Sequence, residues 1–196
     1  MAVRLLTLAL LITGVLSALI AGCQSGPFEP HRMEAMRARS AYVALAREHT
    51  THDEIFFFDE LRASVILDVL NMGPRLLSAA RVRWAADGFF TDAMGKWLPE
   101  GEGRVIFVGI YARGFKVSEF SEKGSYRVRL RSQGTVYEPD VISEVKEPLL
   151  SNYLPVFNQW EKVFACHFPA PPAPGATVVI EFPQGTRELA LTGDGA

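Results

Sequence analysis

The sequence predicts a mainly β protein with helices (α+β), arranged as an antiparallel sandwich. Short apolar strands recur at roughly ten-residue spacing from residue 104 onward, with turn residues between them. Two segments with helical spacing lie before these strands. No internal repeat, heptad array or alternating βαβ pattern occurs, so the sequence argues against solenoid, coiled-coil and doubly wound folds.

The first half of the chain predicts an N-terminal helix, a long strand and a second helix. Residues 32–48 carry apolar side chains on one helical face: Ala35, Ala38, Tyr42 and Leu45. Residues 61–69 alternate apolar and polar side chains, as in a half-buried strand, and follow the β-prone stretch 55–58. Residues 72–74 (Met-Gly-Pro) break that strand. Residues 75–87 then predict a helix inserted after the first long strand and lying against the sheet.

The second half predicts strands almost throughout. Residues 105–111 form a continuous apolar run, as expected of a central strand covered on both faces. Residues 126–131 alternate cleanly, which buries one row of side chains and exposes the other. Further strands are predicted at five places: 136–137, 141–142, 160–168, 177–182 and 187–191.

The N-terminus predicts a secreted, lipid-anchored protein. Residues 5–21 carry no charge, a length typical of a signal segment and marginal for a spanning helix. The run ends in Leu19-Ile20-Ala21-Gly22-Cys23, which resembles the bacterial lipobox. That resemblance implies a diacylglyceryl group on Cys23, cleavage before it and acylation of the new amine. An ordinary signal peptide, or an uncleaved helix that happens to contain a cysteine, is the alternative.

This processing predicts the domain organisation and the cellular location. Residues 1–22 are the cleaved signal peptide, 23–30 a lipidated tether, 31–192 a single sandwich domain and 193–196 a disordered tail. Removal of 22 residues from 196 leaves 174, enough for one domain with a real core. By analogy with the sorting rule of enteric bacteria, Gln24 after the cysteine favours the outer membrane, facing the periplasm.

Charge and motifs argue against several functions. Lys and Arg number 20 against 22 Asp and Glu, a net charge of −2, so nucleic acid is not an expected partner. No Gly-x-Ser-x-Gly elbow, phosphate loop or His-Glu-x-x-His helix occurs. Ser143 and Lys146 match the Ser-x-x-Lys motif of penicillin-recognising enzymes by chance, because the Lys-Thr-Gly strand of those enzymes is absent. The sequence therefore predicts a non-catalytic protein without a cofactor.

The one candidate metal site is His49 and His52. At i and i+3 they could share a helix face, and the adjoining Asp53 or Glu54 could complete a divalent site. The alternative is a solvated, polar helix end.

Three further features have a structural and a functional interpretation. With Cys23 acylated, Cys166 is the remaining thiol, and strand alternation places it in the core beside Phe164 and Phe168, not in a reactive site. Three arginines form one exposed row that could face anionic lipid or an acidic partner, or pair with neighbouring acids: Arg127, Arg129 and Arg131. The three tryptophans are expected to be core anchors, with sugar-stacking platforms as the alternative: Trp84, Trp97 and Trp160.

From about residue 57 to 191 the chain resembles envelope lipoproteins of Proteobacteria with an immunoglobulin-like domain. The resemblance rests on diffuse stretches: residues 58–64 and the helix after them, 107–111, 153–157 and 160–164. It implies an immunoglobulin-like sandwich in the cell envelope and brings no activity with it. The sequence thus predicts a lipid-anchored binding or assembly module with an envelope protein as partner. A metal-assisted hydrolase using His49 and His52 is the alternative.

Overall fold

The computed structural model describes residues 30–56, 63–86, 105–112, 126–146, 153–158, 160–182 and 185–193. The predicted signal peptide, the lipobox and nearly all of the tether lie outside these residues, as do residues 194–196 of the predicted tail. The chain divides into two units, and the unit that carries the sheets is Arg39–Ala196.

The described residues form two helices, α1 (Pro30–Glu48) and α2 (Pro74–Ala86), and nine strands. The strands are β1 (Thr50–Phe56), β2 (Ala63–Asn71), β3 (Val105–Ala112), β4 (Arg127–Ser132), β5 (Thr135–Tyr137), β6 (Val141–Val145), β7 (Lys162–His167), β8 (Thr177–Phe182) and β9 (Gly185–Ala190). The mainly β architecture with two helices confirms the α+β prediction, including the helix inserted after the long strand.

Two antiparallel sheets contain all of these strands. One sheet has the order β1-β2-β3-β7-β6 and the other the order β5-β4-β8-β9. The apolar run of β3 lies at the centre of the five-stranded sheet, as predicted. At one edge, Thr51 Oγ1 of β1 donates a hydrogen bond to the Ala190 carbonyl oxygen of β9 (2.6 Å). Arg187 and Asp53 form an ion pair across the same edge (3.5 Å).

The first core lies between the two sheets. Alternate residues of each strand enter it because successive side chains of a strand point to opposite faces. From the five-stranded sheet come Leu67, Val108 and Cys166, and from the four-stranded sheet Leu130 and Ile180, all fully buried. The two sheets therefore pack as a sandwich-like pair.

The second core covers the other face of the five-stranded sheet. Residues 39–48 of α1 and helix α2 pack there together with the cap segment, defined as residues 153–158 and 160–161. Tyr42 of α1 donates a hydrogen bond from its hydroxyl group to the Tyr153 carbonyl oxygen (2.6 Å). The Trp84 ring of α2 meets the Tyr153 ring edge-on, with centroids 5.8 Å apart. The central strands of the five-stranded sheet are thus buried on both faces.

Two strand boundaries correct the sequence prediction. β1 extends over Thr50–Phe56, whereas the sequence predicts β structure only around residues 55–58. Pairing with β2 holds its polar residues in the sheet. β7 begins at Lys162 and not at residue 160, because residues 157–158 and 160–161 lie in a turn closed by side-chain hydrogen bonds.

Cys166 is buried in the first core, between Ile106 and Ile142 on the neighbouring strands, which confirms the predicted register. Burial raises the pKa of its thiol to about 12, so the reactive thiolate is rare at neutral pH. We expect the native thiol to resist iodoacetamide and to react after denaturation. Cys166→Ala should lower the free energy of unfolding by about 1 kcal/mol, because it leaves a small void. Rapid labelling of Cys166 in the native protein, mapped by peptide mass, would contradict this assignment.

Candidate functional site

A row of polar residues crosses the helix-covered face of the five-stranded sheet. His52 of β1 is paired in register with Asp68 of β2, and Asp68 is paired with Gly109 of β3. Directly paired residues share a face, so the three positions lie side by side. Asp68 is buried, although it lies in a strand that is otherwise mostly apolar.

His52 bridges two acidic side chains. Its Nδ1 lies 2.7 Å from Asp68 Oδ1 and its Nε2 lies 3.1 Å from Glu54 Oε1. Because carboxylate oxygens accept hydrogen bonds, the imidazolium form donates to both. The hydrogen bond to Asp68 raises the pKa of His52, partial burial lowers it, and the hydrogen bond to Glu54 raises it; the net direction is upward.

Glu161 of the cap segment reaches the same row from above the sheet. It is buried, with 5% of its surface exposed, and its side chain hydrogen-bonds Asp68. Asn158 holds both carboxyl oxygens: its backbone N–H donates to Oε2 (3.1 Å) and its Nδ2 donates to Oε1 (2.7 Å). Burial raises the pKa of Glu161 to about 8, and Asp68 acts in the same direction, whereas Asn158 and His52 oppose the shift.

Gly109 makes room for this arrangement. A Cβ atom at Gly109 would lie 2.6 Å from Phe157 Cδ1 and 3.1 Å from Glu161 Oε2. The missing side chain therefore lets the buried Phe157 ring and the Glu161 carboxyl group lie directly on the sheet. This is a close approach that glycine permits and other residues do not.

His49 occupies a separate place. It lies in the turn after α1, is buried, and its Nδ1 donates to the Asn71 carbonyl oxygen (3.2 Å). Gly193 lies directly against it, since a Cβ atom at Gly193 (φ 90°) would overlap the His49 ring. The expected shared helix face of His49 and His52 is wrong, because α1 ends at Glu48 and β1 begins at Thr50.

Among the residues that the structure describes, no group of three or more His, Cys, Asp or Glu side chains is arranged to hold a metal ion. The acidic neighbours of His52 are Asp68 and Glu54, each engaged with an imidazole nitrogen. The arrangement is a hydrogen-bonded chain from the exposed Glu54 through His52 and Asp68 to the buried Glu161. Such a chain can hold and pass protons.

The three arginines of β4 share the outer face of the four-stranded sheet. Arg127 and Arg131 are exposed and Arg129 is half-buried. Arg129 forms an ion pair with Glu181 of β8, and Arg131 with Glu188 of β9 (2.7 Å). The row is therefore interleaved with acids, in agreement with the alternative of pairing with neighbouring acids.

The predicted core positions of the tryptophans are confirmed for Trp84 and wrong for Trp160. Trp84 is a core anchor, as predicted, and Trp97 lies outside the described residues. Trp160 is 72% exposed, so its assignment to the core is wrong. Its backbone N–H donates to Asn158 Oδ1 (2.8 Å), which holds it in the turn before β7. The sequence predicts a strand from residue 160 onward, so it did not indicate that Glu161 lies in a turn and faces Asp68.

No protein-family model, curated protein or solved structure shows a significant match to the chain. Neither described helix has the length and apolar character required to cross a bilayer.

Proposed function

We propose that the chain is a lipid-anchored, non-catalytic binding or assembly module of the bacterial cell envelope. The observation that carries the proposal is the order of segments in the sequence. A charge-free run at residues 5–21 ends in a lipobox at Cys23, and helix α1 begins seven residues later, at Pro30. This order suits a domain that is exported and then held close to a membrane surface.

Lipid on Cys23 would supply the anchor without a spanning helix. Each buried methylene contributes about 0.8 kcal/mol, and one acyl chain alone binds only marginally. The two or three chains that the lipobox implies would bind durably. The glutamine at position 24 supports the outer membrane as the address, with the domain in the periplasm.

The state of the polar side chains supports a non-catalytic role. Within the described ranges, the side chains that could act in catalysis are hydrogen-bonded to other residues of the fold or buried in it. His52 and Glu161 are hydrogen-bonded to Asp68, and Cys166 is sealed between the sheets. The hydrolase alternative rests on a shared helix face of His49 and His52, which is absent, so no described observation favours it.

The strand order supports an immunoglobulin-like arrangement as the finer fold. Immunoglobulin domains carry strands ABED in one sheet and CFG in the other, with C′ added beside C in variable-type domains. The order β2-β3-β7-β6 corresponds to ABED, and β5-β4-β8-β9 corresponds to C′CFG. In this arrangement β1 is an additional edge strand and α2 lies in the connection from A to B.

Site-specific photo-crosslinking in intact cells tests the binding role. A photoreactive residue is placed singly at Val136, Val82 or Trp160, which are exposed positions on β5, on α2 and in the cap segment. Val136 is paired with Arg131, so it samples the arginine row. The proposal predicts one discrete crosslinked envelope protein from one of these positions. The absence of any discrete product, together with a stoichiometric metal lost in His52→Ala, would favour the hydrolase instead.

A further inference from the structure

Asp68 and Glu161 bring two carboxyl groups together where water is nearly excluded. They are 7% and 5% exposed, and Glu161 Oε2 lies over Gly109, the direct cross-strand neighbour of Asp68. Two carboxylates in such a place repel each other strongly. One shared proton would remove one of the two charges and supply a hydrogen bond between the carboxyl groups.

The other groups facing Glu161 come from three elements. Among the described residues, β1 contributes His52, with Glu54 behind it, β2 contributes Asp68, and the cap segment contributes Asn158. The charged groups that act on the Glu161 carboxyl group are Asp68 and His52.

The two central strands bring no charge to the pair. Gly109 of β3 has no side chain, and its partner Val163 of β7 is apolar. The nearest charges on β6 and β7 are Glu144 and Lys162. They lie on the opposite face of the sheet, 4.0 Å from each other. Among the described residues, His52 is the cation whose charge opposes the rise in the pKa of Glu161.

We propose that the proton shared by Asp68 and Glu161 is a latch that holds the cap segment on the five-stranded sheet. With the proton bound, the Glu161 hydroxyl group donates to the Asp68 carboxylate, and Phe157 lies over Gly109. When the proton leaves to solvent, two adjacent carboxylates repel, and the cap segment lifts. The lifted state uncovers the Trp84 ring, which contacts Tyr153. The exposed Glu54–His52 pair gives the proton a path to solvent.

The direction of the pH response follows from which state binds the proton more tightly. In the closed state the pKa of Glu161 is raised to about 8, above its usual value of 4.5. The closed state therefore keeps a proton that the lifted state gives up. Raising the pH from the usual pKa of 4.5 to the raised pKa of about 8 favours lifting. His52 acts in the same direction, because its pKa is also raised in the closed state. The latch is closed in acid and opens as the pH passes about 8.

The test is a ¹⁹F NMR titration of the full chain labelled with 5-fluorotryptophan, from about pH 5 to about pH 9.5. The Trp84 resonance is assigned with Trp84→Phe. It is expected to move with a midpoint near pH 8, the pKa of Glu161. Glu161→Gln should abolish the step near pH 8, because the Gln side chain has no proton to lose there and its amide can donate to Asp68 at every pH. Glu144→Gln is the matched control: it removes an exposed carboxylate from the same sheet and should leave the midpoint unchanged.

Asp68→Asn is the second variant. Removing its charge should lower the midpoint by about one pH unit or more, since Asp68 raises the pKa of Glu161. A wild-type Trp84 resonance that stays fixed to about pH 9.5 would overturn the proposal without any variant. So would an unchanged midpoint in Glu161→Gln.

Discussion

Replacing Trp84 with alanine is expected to lower the free energy of unfolding by about 3–5 kcal/mol, the usual cost of removing a large buried aromatic side chain. Trp84 is 1% exposed and is among the largest fully buried side chains of the described residues. It joins α2 to the cap segment through its edge-on contact with Tyr153. Its removal therefore leaves a cavity in the second core and also loosens the cap.

Urea denaturation followed by circular dichroism measures this loss. Val82→Ala is the matched control, because Val82 lies on the same helix and is 71% exposed. It should change the free energy of unfolding by less than about 0.5 kcal/mol. Equal effects of the two substitutions would show that α2 is not packed on the sheet.

Gly109→Ala is expected to destabilise the protein by about 2–3 kcal/mol, although it adds a single methyl group. The new Cβ atom would lie 2.6 Å from Phe157 Cδ1 and 2.8 Å from Phe157 Cε1. The Phe157 ring is buried, so it cannot swing into solvent without exposing apolar surface. The cap segment must move away from the sheet, which also stretches the hydrogen bond of Glu161 to Asp68.

A double-mutant cycle with Phe157→Ala separates this clash from general strain in β3. Removing the ring relieves the overlap. The double variant should therefore lose less free energy of unfolding than the two single variants lose in sum, by about 1 kcal/mol or more. Simple additivity would contradict the assigned contact between Phe157 and Gly109.

Several strands were predictable because local pattern and tertiary environment agree. The apolar run of β3 needs burial on both faces, and the sandwich and helix layers provide it. The alternation in β4 and the position of Cys166 follow from the two-residue period of a strand. β1 was predicted only in part, because its residues Thr50–Glu54 are polar and gain strand structure from pairing with β2.

The candidate site was less predictable because its members are far apart in the chain. His52, Asp68 and Glu161 meet only through the register of β1, β2 and β3 and through the turn that Asn158 closes. The sequence did mark His52 with the adjoining Asp53 and Glu54, but it predicted a shared helix face with His49 and did not identify Asp68 as a partner. A charged residue inside a largely apolar strand, as at Asp68, is the one local signal that was available.

The lipid anchor at Cys23 is the claim on which the proposed location and role depend. It is tested most directly by mass spectrometry of the N-terminal peptide from chain purified out of bacterial membranes. We expect a peptide that begins at Cys23 and carries a thioether-linked diacylglyceryl group and an acylated amine. We also expect that Cys23→Ser remains as an unprocessed or slowly processed precursor without lipid. An N-terminal peptide that retains residues 1–22, or a mature peptide without lipid, would contradict the account.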